Sequence, residues 1–282
     1  MDTFANTEAH TCDILRWDGG ELAQSADELA VEEPLEIRVR GRAISITMRT
    51  PGHDEELAAG FLLTEGLVRH RDDILHIEAC SRNEDGNVLN VLLAPDVYVD
   101  FSRLTRYVFA ASSCGLCGKA SIDAVCTAFP RVESDLVVHA QTLAKLPDAM
   151  RQVQATFDRT GGLHAAGLFD AYGRLLVLRE DVGRHNAVDK VLGRATFDGL
   201  LPLRNHILLV SGRASFEIMQ KALAGGVAVV AAVSAPSSLA VSFAQESNQT
   251  LIGFLRGQRM NIYTHPHRVR CLDRMMGTGK RT

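Results

Sequence analysis

Apolar and polar residues alternate singly over 35–39 and again over 43–47, and Arg40-Gly41-Arg42 interrupts them. A period of two broken at a glycine predicts a β-hairpin. Pro51-Gly52-His53 then opens a helix over 54–65. Asp54, Glu55 and Glu56 fill its first turn, where the helix dipole favours acids, and Gly66 stops it. Strands follow at 74–79 and 87–93, the second entered from the turn Glu84-Asp85-Gly86-Asn87. The first folded segment begins near Glu33, and these elements form a small α+β domain assigned to 21–110. Residues 1–20 and 271–282 read as tails, the latter ending at 277–282 with nothing apolar to anchor it.

The second half is more regular. A helix is predicted over 143–158 and a hairpin over 162–169 and 174–178, turning at 170–173. Helix 184–195, strand 206–210, helix 215–224, strand 227–233, helix 238–247 and strand 250–255 alternate after it, and a last strand covers 260–264. Such alternation predicts parallel neighbours joined by right-handed crossovers, and hence a three-layer α/β sandwich over 141–270. Residues 111–140 are left as a connecting segment.

That topology places the ends of parallel strands on one sheet edge, where open α/β sheets bind their ligands. Four polar segments follow strand ends: Glu180 to His185, Ser211-Gly212-Arg213, Ser234 to Ser238, and Arg256-Gly257-Gln258-Arg259. Three of them precede helices, whose first N–H groups are open to anions. The expected result is a crevice rich in Arg, Ser and Gly that suits a phosphorylated ligand. His164 and His185 fall near the same edge as acid/base or capping candidates, and Asp181 as a cap of the 184–195 helix. His265 and His267, flanking Pro266, are expected at the surface.

Composition narrows the field only modestly. The formal charge of −4 over 282 residues argues against non-specific nucleic-acid binding. Lysine occurs only at 119, 145, 190, 221 and 280, so arginine, which grips phosphate bidentately, supplies most of the positive charge. The N-terminus lacks the basic start and apolar stretch of a signal peptide. The longest apolar run, 227–233, is far too short for a bilayer. Cysteines 12, 80, 114, 117, 126 and 271 show no paired spacing of a disulfide framework, so a reducing cytoplasm is expected. Cys80, Cys126 and Cys271 read as packing thiols, and Cys12 as part of the tail.

The exception is Cys114-Gly-Leu-Cys117, with glycines at 115 and 118, Lys119 beside it, and a helical pattern from Ala120. Cation and helix terminus both favour thiolate over thiol. A zinc half-site lacks a second pair of ligands at metal spacing. A thioredoxin-like site lacks the strand–helix–strand context. A sulfur carrier fits better: one nucleophilic cysteine holds a persulfide, and its neighbour shields or discharges the terminal sulfur.

Several segments together resemble the FdhD family. They are Glu33 to Ile37, Arg49 to Gly66, Ser113 to Lys119, Thr160 to His164, Glu180 to Lys190, Ser211 to Arg213 and Asn261 to Thr264. The resemblance spans about residues 30–270, in order. It implies an accessory sulfurtransferase of formate dehydrogenase that is cytoplasmic, dimeric and free of nucleic-acid or membrane binding. Sulfur from a cysteine desulfurase would sit as a persulfide on Cys114, with Cys117 assisting. It would pass to the metal of a bis-molybdopterin guanine dinucleotide cofactor, the cargo, before insertion into formate dehydrogenase. The family's cofactor-binding segment maps onto Phe254, Leu255, Arg256, Gly257, Gln258 and Arg259. Ser211, Gly212, Arg213 and His185 join them as crevice residues. The implied C-terminal fold resembles cytidine deaminase without its zinc motif, so no resident metal is expected. The alternative is a chaperone that binds the cofactor without transferring sulfur.

Overall fold

The structure, a computed structural model, describes residues 8–80, 86–101 and 129–271. It opens with β1 (Ala9–Asp18) and β2 (Glu21–Ala30), paired antiparallel along their whole length. Residues 9–18, expected as tail, are therefore strand, and the folded chain starts well before Glu33. The sign of it in the sequence is Asp18-Gly19-Gly20-Glu21. Both glycines take positive φ, 56° and 106°, as the hairpin turn that matches strand twist requires. The flanking residues are mostly exposed, so no buried stripe marks them as strands.

β3 (Glu33–Val39), β4 (Arg42–Arg49), α1 (Asp54–Thr64), β5 (Ile74–Ala79) and β6 (Val88–Leu93) build the small α+β unit. Its sheet runs β4-β3-β6-β5, with β3 parallel to β6. The alternation read from the sequence buries Leu35, Ile37 and Val39, in one core with Leu57 and Leu62 of α1.

The larger unit comprises β7 (Val138–His139), α2 (Ala140–Arg151), α3 (Ala155–Thr160), β8 (His164–Asp170), β9 (Leu175–Asp181), α4 (Arg184–Phe197), β10 (His206–Val210), α5 (Phe216–Ala224), β11 (Val229–Ala232), α6 (Ser238–Glu246), β12 (Thr250–Arg256), β13 (Arg259–Ile262) and β14 (Val269–Arg270). The single helix expected over 143–158 is two, α2 and α3, separated at 152–154. Arg159 of α3 forks onto Glu28 at 3.0 and 2.5 Å and ties the N-terminal hairpin down. The main sheet runs β13-β12-β11-β10-β8-β9. β10, β11 and β12 are parallel, whereas β8 and β13 run against their neighbours. The sheet is thus mixed rather than all parallel, because the short links of β8–β9 and β12–β13 permit only antiparallel pairing. Among the described residues no helix is long and apolar enough to cross a membrane.

The two units meet where α1 crosses α4. A methyl group at Gly60 would lie 1.8 Å from the Asp189 carbonyl oxygen, and one at Gly193 1.8 Å from that of Glu56. Only hydrogen at both positions lets the two backbones touch. Around that contact sit ion pairs: Lys190 to Asp181 at 2.8 Å, Lys221 to Asp189 at 2.7 Å, and Arg179 across two oxygens of Glu56 at 2.5 and 2.7 Å. Lys190 also donates to the Thr50 carbonyl at 2.8 Å, and Asp181 accepts the Thr50 N–H at 3.2 Å. This junction fixes the entry to α4 relative to the small unit.

Candidate crevice at the strand ends

β9, β10, β11 and β12 all point the same way, since β9 and β10 each run antiparallel to β8. The four polar segments that follow them share one edge, as expected. Backbone hydrogen bonds stitch these segments together. Val233 donates to the Val210 carbonyl, Ala214 to Ala235, Ser237 to Ala214 and Phe254 to Ser234, all between 3.0 and 3.2 Å.

The turn into α4 is held from below by Asp181. One carboxylate oxygen accepts Gly183 N–H at 2.8 Å and Asn186 Nδ2 at 3.0 Å, while the other faces Lys190. Arg184 and His185 therefore leave a fixed turn at the edge. Ser211 accepts Ala165 N–H on its hydroxyl at 2.9 Å, which seats His164 beside the Ser211-Gly212-Arg213 loop. A methyl at Gly212 would lie 3.3 Å from His164 Nδ1, so the loop backbone passes close over that ring.

The helices that start at this edge are not equally capped. At α6 the Ser237 hydroxyl accepts the Ala240 N–H at 3.2 Å. Neither N-cap residue, Gly183 of α4 or Ser215 of α5, provides a side-chain cap. The Ser215 hydroxyl is engaged instead by Glu217, and lies 3.5 Å from His185 Nε2. The first N–H groups of α4 thus remain open to an anion, whereas at α5 the Glu217 carboxylate accepts its own backbone N–H.

Electrostatics agree. Arg184, Arg213, Arg256 and Arg259 have no carboxylate within ion-pair distance among the described residues. Arg184 Nε is buried and makes no hydrogen bond there, and Arg256 donates to the Val233 carbonyl at 2.9 Å. Burial, then Arg184 and Lys221, push the His185 pKa down to about 4 against the pull of Glu217. Burial, then Arg184 and Arg213, lower that of His164. Both shifts favour the neutral ring near pH 7. Burial raises the Glu217 pKa, but hydrogen bonds from Ser215 and from its own backbone N–H, then the neighbouring positive charge of Arg184, hold it below the ordinary carboxylate range.

The segment 254–259 caps the far end of this edge. Between Gly253 and Arg256 the register of β12 against β13 shifts, and Phe254 takes a left-handed φ of 51°. Phe254 is 42% exposed, and Arg256, Gly257, Gln258 and Arg259 are exposed as well. Leu255 departs from its expected role as a ligand contact: it is fully buried and its side chain belongs to the core. Cys114, Cys117 and Cys126 lie outside the described residues. His265 and His267 pair edge-on, 5.9 Å between ring centres, after β13 and away from the strand ends. Among the described residues no cluster of three or more His, Cys, Asp or Glu has the arrangement of a metal site. Sequence reasoning had not singled out Arg184, Glu217 or Lys221. For Arg184 the signal was present, an arginine directly after the glycine that starts a helix.

Comparison with known proteins bears on this arrangement. The model of the FdhD/NarQ family matches residues 30–270. A protein named sulfur carrier protein FdhD from Streptomyces avermitilis is 52% identical over 264 residues, 91% of this chain and 94% of that one. One of the same name from Saccharolobus solfataricus is 40% identical, covering 91% and 96%. A crystal structure of a protein assigned as a formate dehydrogenase accessory protein, from Desulfotalea psychrophila, superposes with a TM-score of 0.75. It is 24% identical, covers 94% of this chain and 100% of its own, and supports the fold.

Proposed function

The chain belongs to the FdhD/NarQ family, and from that premise we propose that it is a sulfur carrier serving formate dehydrogenase in the cytoplasm. The Cys114 thiolate attacks the terminal sulfur of a cysteine desulfurase persulfide. The donor's S–S bond breaks, the donor leaves as thiolate, and a persulfide forms on Cys114. For discharge, the Cys117 thiolate attacks Sγ of Cys114, expels hydrosulfide and closes a Cys114–Cys117 disulfide, which a cellular thiol reduces. The hydrosulfide replaces an oxo ligand on the metal of the cargo, a bis-molybdopterin guanine dinucleotide cofactor, and the oxygen leaves as hydroxide.

The observation that carries the cargo half of this reading is the crevice: four arginines with no carboxylate at ion-pair distance among the described residues, beside the uncapped start of α4. Pyrophosphate groups match such a site, because guanidinium and helix N–H groups both bind phosphate oxygens. Chain length supports the sulfur half. Val132 is hydrogen-bonded to Ser247 at 3.0 Å, at the starting end of β12, opposite the crevice. The eighteen residues from Cys114 to Val132 reach at most ~60 Å, well beyond the ~23 Å of the seven-residue β12.

The test is intact mass after treatment with a cysteine desulfurase and cysteine. One added, reductant-labile sulfur is expected on the wild type and on Cys117→Ser, and none on Cys114→Ser. Unchanged labelling of Cys114→Ser would overturn the assignment. Nucleotide binding with no labelling of any variant would favour the chaperone reading instead.

A further inference from the structure

The β1–β2 hairpin carries apolar side chains that the fold does not use. Leu15, Trp17 and Leu22 are 69%, 70% and 65% exposed. Leu15 and Trp17 alternate along β1, and Trp17 pairs with Leu22, so the three share one face of the ribbon near its turn. Among the described residues, the hairpin's ties to the larger unit lie at the other end. Glu8 takes the Thr156 hydroxyl, Glu28 takes Arg159, and a methyl at Gly162 would lie 3.2 Å from Cβ of Ala30. Six strand positions separate Glu28 from Leu22, so the tip reaches ~20 Å past the Arg159 tie. A two-stranded ribbon is barely stable in water, and an apolar face held out at its free end marks a docking surface. Its anchor is the chain's only tryptophan, a residue type enriched at the energetic centre of interfaces.

Position and charge say what docks there. Thr156 and Phe157, at the root of the arm, donate their N–H groups to Glu180 at 3.1 and 2.9 Å, beside Asp181 at the end of β9. Gly162 stands just before β8, which starts at His164 on the same edge. The arm therefore springs from the rim of the crevice. Residues 9–30 hold Asp13, Asp18, Glu21, Asp27 and Glu28 against Arg16 alone, so an acidic arm stands beside a cationic crevice. A protein that takes a phosphate-rich cofactor out of that crevice has a cationic entrance of its own, and acids around an apolar tip complement it. Two such arms set face to face would bring like charges together, which disfavours a second copy as the occupant. We propose that the β1–β2 hairpin is the arm with which this chain docks on the protein that receives its cargo, the Leu15–Trp17–Leu22 tip seating on an apolar patch ringed by basic side chains. This rests on the reading of the crevice as a cofactor site that serves formate dehydrogenase, and adds the surface that meets the recipient.

Calorimetry of the full chain with cofactor-free formate dehydrogenase from the same cell tests it, with inorganic pyrophosphate as a second probe. Trp17→Ser and Leu22→Ser are each expected to weaken dehydrogenase binding about thirtyfold or more, the loss of a central interface anchor, and Trp17→Phe to retain most of it. Asp18→Asn combined with Glu21→Gln is expected to weaken it at low salt and to flatten its salt dependence. Pyrophosphate affinity, persulfide labelling and the unfolding temperature are expected to stay at wild-type values in all of these, because the substituted side chains support neither the fold nor the crevice. Wild-type dehydrogenase affinity in both Trp17→Ser and Leu22→Ser overturns the arm and leaves the crevice reading intact, as does a wild type that binds pyrophosphate but not the dehydrogenase. Dissociation of a wild-type dimer by the same substitutions, seen in sedimentation, overturns it too, by assigning the arm to a second copy. A wild type that binds neither probe overturns the crevice reading beneath it.

Discussion

The junction between the two units and the crevice at the strand ends use the same kinds of charged residue to opposite ends. At the junction each cation has an anion: Lys190 with Asp181, Lys221 with Asp189, Arg179 with Glu56, and Arg49 with Asp54 at 3.0 Å. In the crevice, Arg184, Arg213, Arg256 and Arg259 have none among the described residues, and the nearby histidines are held neutral rather than charged. Burying a charge is tolerable only when it is paired and hydrogen-bonded, so the junction charges are complete within the fold. Crevice charges stay near water and keep their binding capacity for something from outside. The two regions also share a residue chain, because Asp181 belongs to the junction through Lys190 and to the crevice through Gly183.

The contrast predicts where stability is concentrated. Lys190→Met would leave the Asp181 carboxylate without its cation at a place where the two side chains are 1% and 0% exposed. Loss of about 3–5 kcal/mol is expected, read as a shifted urea midpoint. Stability within 1 kcal/mol of wild type would show that the junction is not the closed network described. Gly193→Ala comes next. Its methyl would lie 1.8 Å from the Glu56 carbonyl oxygen, so α1 and α4 must part, at a cost of about 1–3 kcal/mol or more. Thermal unfolding together with exchange of the α4 amides checks this, and an unchanged midpoint would mean that the crossing relaxes freely.

The crevice was more legible in the sequence than the junction. Strand–helix alternation after residue 200 is strong, and loops that follow parallel strands must share an edge, so Ser211, Arg213 and Arg256 were placed together from pattern alone. The junction lacked such a signal. Asn186, Asp189 and Lys190 are polar and look like a solvated face, yet α4 is buried on nearly all sides. Partners mostly distant in sequence make their burial possible: Thr47 and Met48 for Asn186, Thr64 and Lys221 for Asp189, and Thr50 for Lys190. Glu56, Gly60 and Thr64 do fall at a spacing of four, as do Asp189 and Gly193, and glycine inside a helix marks close packing. That clue points to a crossing without saying what is crossed. Leu255 shows the converse limit. A motif carried over as a block of six residues includes one whose side chain, by the alternation of the strand, faces the core.

On the crevice side, effects move from stability to binding. Arg213 is exposed and has no ion-pair partner among the described residues, so Arg213→Gln is expected to change stability by about 0.5 kcal/mol or less. Affinity for both GDP and pyrophosphate should fall about tenfold or more, the loss of a charge-assisted hydrogen bond. If Arg213→Gln destabilises the fold as much as Gly193→Ala does, the distinction between the two regions fails.

The smallest expected effect is that of pH. His185 faces Arg184 on its own helix, Lys221 and Glu217 on α5, and His164 on β8, and its pKa falls from 6.5 to about 4 in the fold. Between those values the unfolded chain binds a proton that the folded chain does not, so stability drops as pH falls through that window. His185→Gln should flatten this slope, measured as the unfolding midpoint against pH. A phosphate anion bound at the start of α4 opposes the neighbouring cations and raises the pKa of the ring. Binding then takes up protons, and the ring's contribution to pyrophosphate affinity grows as pH falls towards about 4. Calorimetry in two buffers of different ionisation heat counts those protons. Equal proton uptake by wild type and His185→Gln would place the anion away from this ring, and so away from the open start of α4.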